Sequence, residues 1–132
     1  MRYVVIDPEK QTTRAIEASG FDVALDVARL GSVGRDHAVA APGIAIVVFE
    51  FGLYMSPTEQ HYFALGRRLY AGTALLYAFD EGGNTVDLTR NPVPRFFKSP
   101  AEIEAAISSG EIERPTHVLN NEVIWQWPNP TP

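Results

Sequence analysis

The chain has 132 residues, 45% of them hydrophobic and 20% charged, which suits one globular domain with one sizeable core. It contains no cysteine, so disulfides, thiolate nucleophiles and cysteine-based zinc sites are excluded. A net charge of −5 disfavours general phosphate-backbone binding, so a nucleic-acid partner is not expected.

The charge is uneven. Residues 1–60 carry five basic and eight acidic residues, residues 61–98 five and three, and residues 99–132 one and five. A basic middle between acidic ends favours either intramolecular attraction or a two-signed binding surface. The opening MRYVVIDPEK meets Asp7 and Pro8 too early for a signal peptide, and the longest apolar run, Gly43 to Phe49, is too short to span a bilayer. The expected location is the cytoplasm, without membrane attachment.

Arg2 to Ile6 is β-branched and reads as a strand, Asp7 to Gln11 as a turn, and Thr12 to Glu17 as the returning strand. SGFDVALDVARLG follows. Ser19 is placed to cap a helix, Phe21, Ala24, Leu25 and Ala28 fall on one apolar face, and Gly31 is the expected terminator. Gly31 to His37 reads as a loop. Two extended runs follow, Ala38–Ala41 and Gly43–Phe51, divided by Pro42; IAIVVFEF has the continuous apolar character of a strand covered on both faces.

The segment 57–70 admits both a helix and a strand. Ser56-Pro57-Thr58-Glu59 makes a capping box, but Gly66 and the β-favouring His61-Tyr62-Phe63 oppose a long helix. The preferred reading is a helical turn at 57–60, a strand at 61–65, a turn at Gly66-Arg67 and one strand onward to Phe79. Asp80, Asn84 and Asp87 crowd the glycines of LYAFDEGGNTVDL. With Asp80 as first ligand of a calcium loop, the third position is Gly82, the sixth Thr85 and the twelfth Asn91, so the pattern fails and a hairpin through Glu81–Asn84 is expected.

Arg90 to Lys98 is a proline-braced connection. Ser99-Pro100-Ala101-Glu102 caps a second helix with Ile103, Ala106 and Ile107 as its stripe and Gly110 as its end. In THVLNNEVIWQW, Asn120-Asn121 is a two-residue turn pairing Val118 with Val123 and Thr116 with Trp125; Val123, Trp125 and Trp127 then share the core face. The expected fold is α+β: one mainly antiparallel twisted sheet built from hairpins and covered by two helices. Residues 1–127 form a single domain, with 128–132 a flexible tail.

Signals of chemistry are sparse. His37, His61 and His117 form no metal-binding pair, and GxSxG and SxxK nucleophile motifs are absent. Gly31 to Arg35 follows a helix instead of a strand, which is the wrong order for a phosphate loop. Arg35-Asp36-His37 lies on extended chain, where neighbours point apart, and local ion pairing accounts for it. Arg67, Arg68, Arg90 and Arg95, with Phe96 and Phe97 beside them, are the candidate ligand-binding residues, since guanidinium forks grip carboxylate or phosphate. Their alternative role is solvation, with the two phenylalanines anchored in the core. Glu102, Glu104, Glu111 and Glu113 are too few for DNA mimicry and read as a solvated face. No residue set points to a catalytic centre, metal or cofactor.

IAIVVFEF, followed by YFALGRRLYAGTALLYAFDEGGNTVDLT over residues 62–89, resembles a family of small uncharacterised domains from phages, plasmids and integrative elements. The parallels are the ββα unit Arg2–Leu30, the strand-ending Glu50, the strand led by Gly72 and the hairpin Asp80–Leu88; together they span about two thirds of the chain. It departs from them at Phe51 and in the tail from Arg90 onward. The resemblance implies a cytoplasmic accessory protein of a mobile element and transfers no catalytic residue. The sequence thus predicts a non-enzymatic module acting by protein–protein contact or self-association. An alternative is a binder of a small anion, or an enzyme, using Arg67, Arg68, Arg90 and Arg95.

Overall fold

The computed structural model describes residues 1–31, 34–49, 52–55, 57 and 60–128. Among these residues eleven strands and two α-helices follow one another. The fold class is α+β with antiparallel pairing throughout, but the strands divide among three sheets, where a single sheet was expected.

The largest sheet begins with the hairpin of β1 (Arg2–Asp7) and β2 (Thr12–Glu17) and includes β3 (Arg35–Ala41), β4 (Ile44–Phe49) and β7 (Ala74–Phe79) in the order β2-β1-β7-β4-β3. The short β8 (Thr85–Val86) pairs with the far end of β7. Both faces of β4 are buried from Ile44 to Val47, in keeping with its unbroken apolar run, and exposure rises toward Phe49. Three further strands, β5 (Tyr62–Leu65), β6 (Arg68–Ala71) and β9 (Arg95–Phe97), make a second sheet in the order β6-β5-β9. The third is a C-terminal hairpin, β10 (Thr116–Leu119) with β11 (Glu122–Gln126).

Alternation along the strands builds these parts into layers. Tyr3, Val5, Val47 and Leu75 face α1 (Phe21–Val27), which contributes Ala24 and Leu25. Val4, Ile6, Ile46 and Leu76 face the other way and meet Phe63 and Tyr70 of the second sheet. The opposite side of that second sheet, with Tyr62, Ala64, Leu69 and Phe97, is covered by Ile103 and Ala106 of α2 (Pro100–Ser108) and by Trp127. The order through the molecule is helix, large sheet, small sheet, helix.

The predicted strand from Arg68 to Phe79 is in fact two strands in two sheets. Gly72, at φ +79°, breaks it. That conformation is open to glycine and strained for other residues, and it turns the chain from β6 into β7. The apolar pattern on either side is equally strand-like, so periodicity alone does not reveal the switch. The predicted β5 and the turn at Gly66-Arg67 are present. The helical turn expected at 57–60, the capping residues Ser56, Thr58 and Glu59, and Glu50 and Phe51 of the resemblance lie wholly or partly outside the described residues, as do residues 129–132 of the tail.

The helices differ in how they end. Ser99 caps α2 by accepting from the Glu102 amide at 3.3 Å, and the Glu102 carboxylate accepts from the Lys98 amide at 2.7 Å. At its far end Gly110 and Glu111 donate back to Ile107 and Ala106, the double bond of a Schellman turn. Helix α1 departs from expectation at both ends. Gly20, not Ser19, occupies the cap position. Its closing turn uses the same pair of bonds, Arg29 to Asp26 and Leu30 to Leu25, but the left-handed residue is Arg29 at φ +59°, two positions before Gly31.

Candidate functional site

The structure places two of the four arginines, Arg68 and Arg95, on opposite faces of the small sheet. Cross-strand partners share a face, and Arg95 pairs with Ala64, whereas Arg68 pairs with Leu65. Arg95 therefore lies on the α2 side of the small sheet and Arg68 on the side facing the large sheet. Arg95 stacks over Phe97, 4.7 Å from its centroid, and ion-pairs with Glu111. Arg67, in the β5–β6 turn, pairs with Glu113 at 3.5 Å, and its carbonyl accepts from the Glu113 amide at 2.7 Å. Arg90 is exposed on the connection after β8. Phe97 is buried and Phe96 packs against the inter-sheet core, so both phenylalanines anchor this segment.

The acidic C-terminal third is joined to the basic middle by these contacts, so the charge blocks act as intramolecular attraction. Glu102 serves the α2 cap, and Glu111 and Glu113 bind Arg95 and Arg67. Glu104 takes both arms of the Arg114 fork at 2.7 and 2.8 Å. These carboxylates do more than solvate a face. The Arg114 hydrogen bonds hold the Glu104 carboxyl below the ordinary glutamate range, against a smaller opposing effect of desolvation. Because the folded value is depressed, the pair's contribution is complete above the unfolded-state value of about 4.3 and is lost as pH falls through the folded value. Both side chains are partly exposed, so the contribution is at most about 1 kcal/mol. Denaturation of the Glu104→Gln variant is expected to show a deficit of that size at neutral pH, and the gap to the parent protein closes in acid.

Asp80 is also committed to structure. Its carboxylate accepts from the Asn84 amide at 2.9 Å, and its own amide donates to the Asn84 carbonyl at 2.9 Å. These bonds fix the β7–β8 hairpin and lower the carboxyl's pKa, led by the Asn84 amide. Asp36 and His37 point to opposite faces of β3, as alternation requires: His37 pairs with Val47 of the α1 face, and Asp36 with Val48 of the inter-sheet face. Among the described residues Arg35 and Asp36 form no ion pair, contrary to expectation. His37 instead rests near Phe21, 5.9 Å between ring centroids, and His61 precedes β5, its carbonyl accepting from Gly72.

The C-terminal hairpin is the least covered element. Asn120 and Asn121 adopt φ of +50° and +65°, the turn predicted for them, and Val118 pairs with Val123. A one-residue slip follows, however, so that His117 pairs with Trp125 and Thr116 with Gln126. Ile124 is the extra residue. The bulge reverses the expected facing of Val123, which turns outward, while Trp127 is fully buried and Trp125 partly so. As a result Val118, Leu119, Val123 and Ile124 are between 53% and 59% exposed, side by side on one projecting ribbon. Beyond its own two strands the ribbon pairs with no other strand among the described residues.

Its root is held firmly. Trp127 donates to Pro115 at 2.9 Å, and its carbonyl accepts from Arg114 at 2.7 Å. Trp125 lies 4.5 Å from the Tyr54 ring, whose hydroxyl is 3.1 Å from Nδ1 of His117. Tyr54 reaches this place from the 3-10 turn Gly52–Tyr54, which sits close on β6: a Cβ at Gly52 would stand 3.2 Å from the Cβ and carbonyl oxygen of Ala71. A cleft of about 380 Å³ opens beside the root, lined by Asp36, Tyr54, Arg68, Glu113, Arg114 and Trp125. Arg68 lies 5.5 Å from the Tyr70 ring centroid and makes no ion pair among the described residues. Burial raises the Tyr70 pKa, with Arg68 opposing and Asp36 adding to the rise.

The arrangement pairs exposed aliphatic residues with an aromatic root and a charged border. No helix among the described residues is long and apolar enough to cross a membrane. No family model, curated protein or solved structure matches the chain.

Proposed function

We propose that this protein is a non-enzymatic binding module that engages a protein partner, or a second copy of itself, through the β10–β11 hairpin. The observation that carries this reading is the exposure of Val118, Leu119, Val123 and Ile124 on a ribbon anchored by a buried tryptophan. A two-stranded hairpin is marginal alone, and exposed aliphatic residues on an open strand edge favour coverage by another chain. The resemblance to mobile-element domains adds the role of a cytoplasmic accessory factor, and interference with a host protein is one form that role takes.

The test is affinity capture from host lysate with the parent protein and the Val118→Lys/Val123→Glu variant, whose new charges are opposite in sign across the pair, with sedimentation at several concentrations to detect self-association. Both positions are solvent-facing, so the variant should melt with the parent. A specific partner, or a concentration-dependent oligomer, should disappear in the variant. Equal capture and equal sedimentation by both proteins would contradict the reading.

A further inference from the structure

Helix α1 is seven residues long and covers only part of its sheet face. On that face the cross-strand pairs are Tyr3–Ile16, Val5–Arg14 and Asp7–Thr12. The helix packs on the first pair and on Val5. Beyond its last turn the face continues as a polar floor of Asp7, Thr12 and Arg14, joined by Thr73. Arg29 at the helix end and Lys10 in the β1–β2 turn complete a cleft of about 660 Å³, within the size range of small-molecule sites.

We infer that this cleft binds a small phosphorylated anion through Lys10, Arg14 and Arg29. Three observations converge. First, three cations border this one cleft, and among the described residues none of them makes an ion pair or a side-chain hydrogen bond. Second, the three cations outnumber the two carboxylates on the cleft, Asp7 and Glu9, and Oδ1 of Asp7 is turned to the Glu9 and Lys10 amides, from which it accepts at 3.0 and 3.2 Å. Two guanidinium forks, an ammonium and the hydroxyls of Thr12 and Thr73 thus border one space, a donor set suited to a phosphoryl group with several acceptor oxygens.

Third, Arg29 holds the left-handed position that closes α1. Helix α2 gives the equivalent place to Gly110. A side chain in that conformation is strained, and glycine would relieve it. Arg29 thus stands where glycine would be less strained, and its side chain borders the cleft.

The test is an amide chemical-shift titration with pyrophosphate, run beside succinate as a dicarboxylate of lower charge. Saturable shifts are expected at Lys10, Thr12, Arg14, Arg29 and Thr73, weakening as salt rises. Arg14→Gln should reduce affinity about tenfold or more. Arg29→Gly is the discriminating variant: its melting temperature should rise while its pyrophosphate affinity falls. The inference is overturned if pyrophosphate shifts exposed cations such as Arg90 to the same extent, if Arg29→Gly binds like the parent, or if succinate binds more tightly than pyrophosphate. The exposed positions of all three cations keep the fold intact in these variants, and the titration of the parent protein is decisive without them.

Discussion

Phe63→Ala is expected to cost about 3–5 kcal/mol of stability, measured by denaturant unfolding. Phe63 has no exposed surface and lies at the junction of the two larger sheets. It stacks on Tyr70, with centroids 5.3 Å apart and planes at 21°, and packs in the cluster of Val4, Ile6, Ile46 and Leu76. Those partners sit on strands held by hydrogen-bonded ladders on both sides, so they cannot move in to fill the space. The loss thus combines buried area, the aromatic pair and a residual cavity. Val93→Ala provides the comparison: Val93 is 90% exposed, and its truncation should stay within about 0.5 kcal/mol. A cost for Phe63→Ala as small as that would mean the two sheets are not joined through this residue.

Trp127→Ala should be of similar size, about 3–5 kcal/mol, with a local consequence as well. Trp127 is fully buried against Tyr62, edge to face at 5.8 Å, beneath the root of the hairpin. Removing it should free β10 and β11, and their amides should exchange faster than those of β1 and β7 in hydrogen-exchange measurements. Trp127→Phe is expected to cost much less. Trp127 Nε1 and Tyr62 Oη are both buried without a hydrogen bond of good geometry among the described residues, although their proximity partly offsets the rise that burial imposes on the Tyr62 pKa. Phenylalanine keeps most of the apolar contact and deletes one unsatisfied donor. If Trp127→Phe is as damaging as Trp127→Ala, the indole nitrogen matters in a way this geometry does not explain.

Features governed by local chemistry were legible in the sequence. Ser99 and Glu102 specify the start of α2, Gly110 its end, and Asn120-Asn121 the last hairpin turn, because each acts within a few residues of itself. Attraction between charge blocks was one of two readings the sequence allowed, and its pairs were not visible, since Arg67–Glu113 and Arg95–Glu111 depend on which turn meets which connection. The features that shape the candidate sites were hidden for a common reason: each is a backbone departure inside an otherwise regular pattern. Gly72 divides one apolar run between two sheets. The bulge at Ile124 moves Val123 from the core face to solvent. Arg29 takes a conformation that sequence preference assigns to Gly31. Arg68 and Arg95, near neighbours across β5, point to opposite faces, which becomes apparent only once the register is known.

The most direct test of the binding-module account is photo-crosslinking with a benzoyl-phenylalanine placed at Val123 and, as control, at Val93, which is more exposed and belongs to the connection before β9. The account predicts a discrete protein adduct, to a partner or to a second copy, from position 123 and none from position 93. No adduct from 123, or the same adducts from both positions, would contradict it.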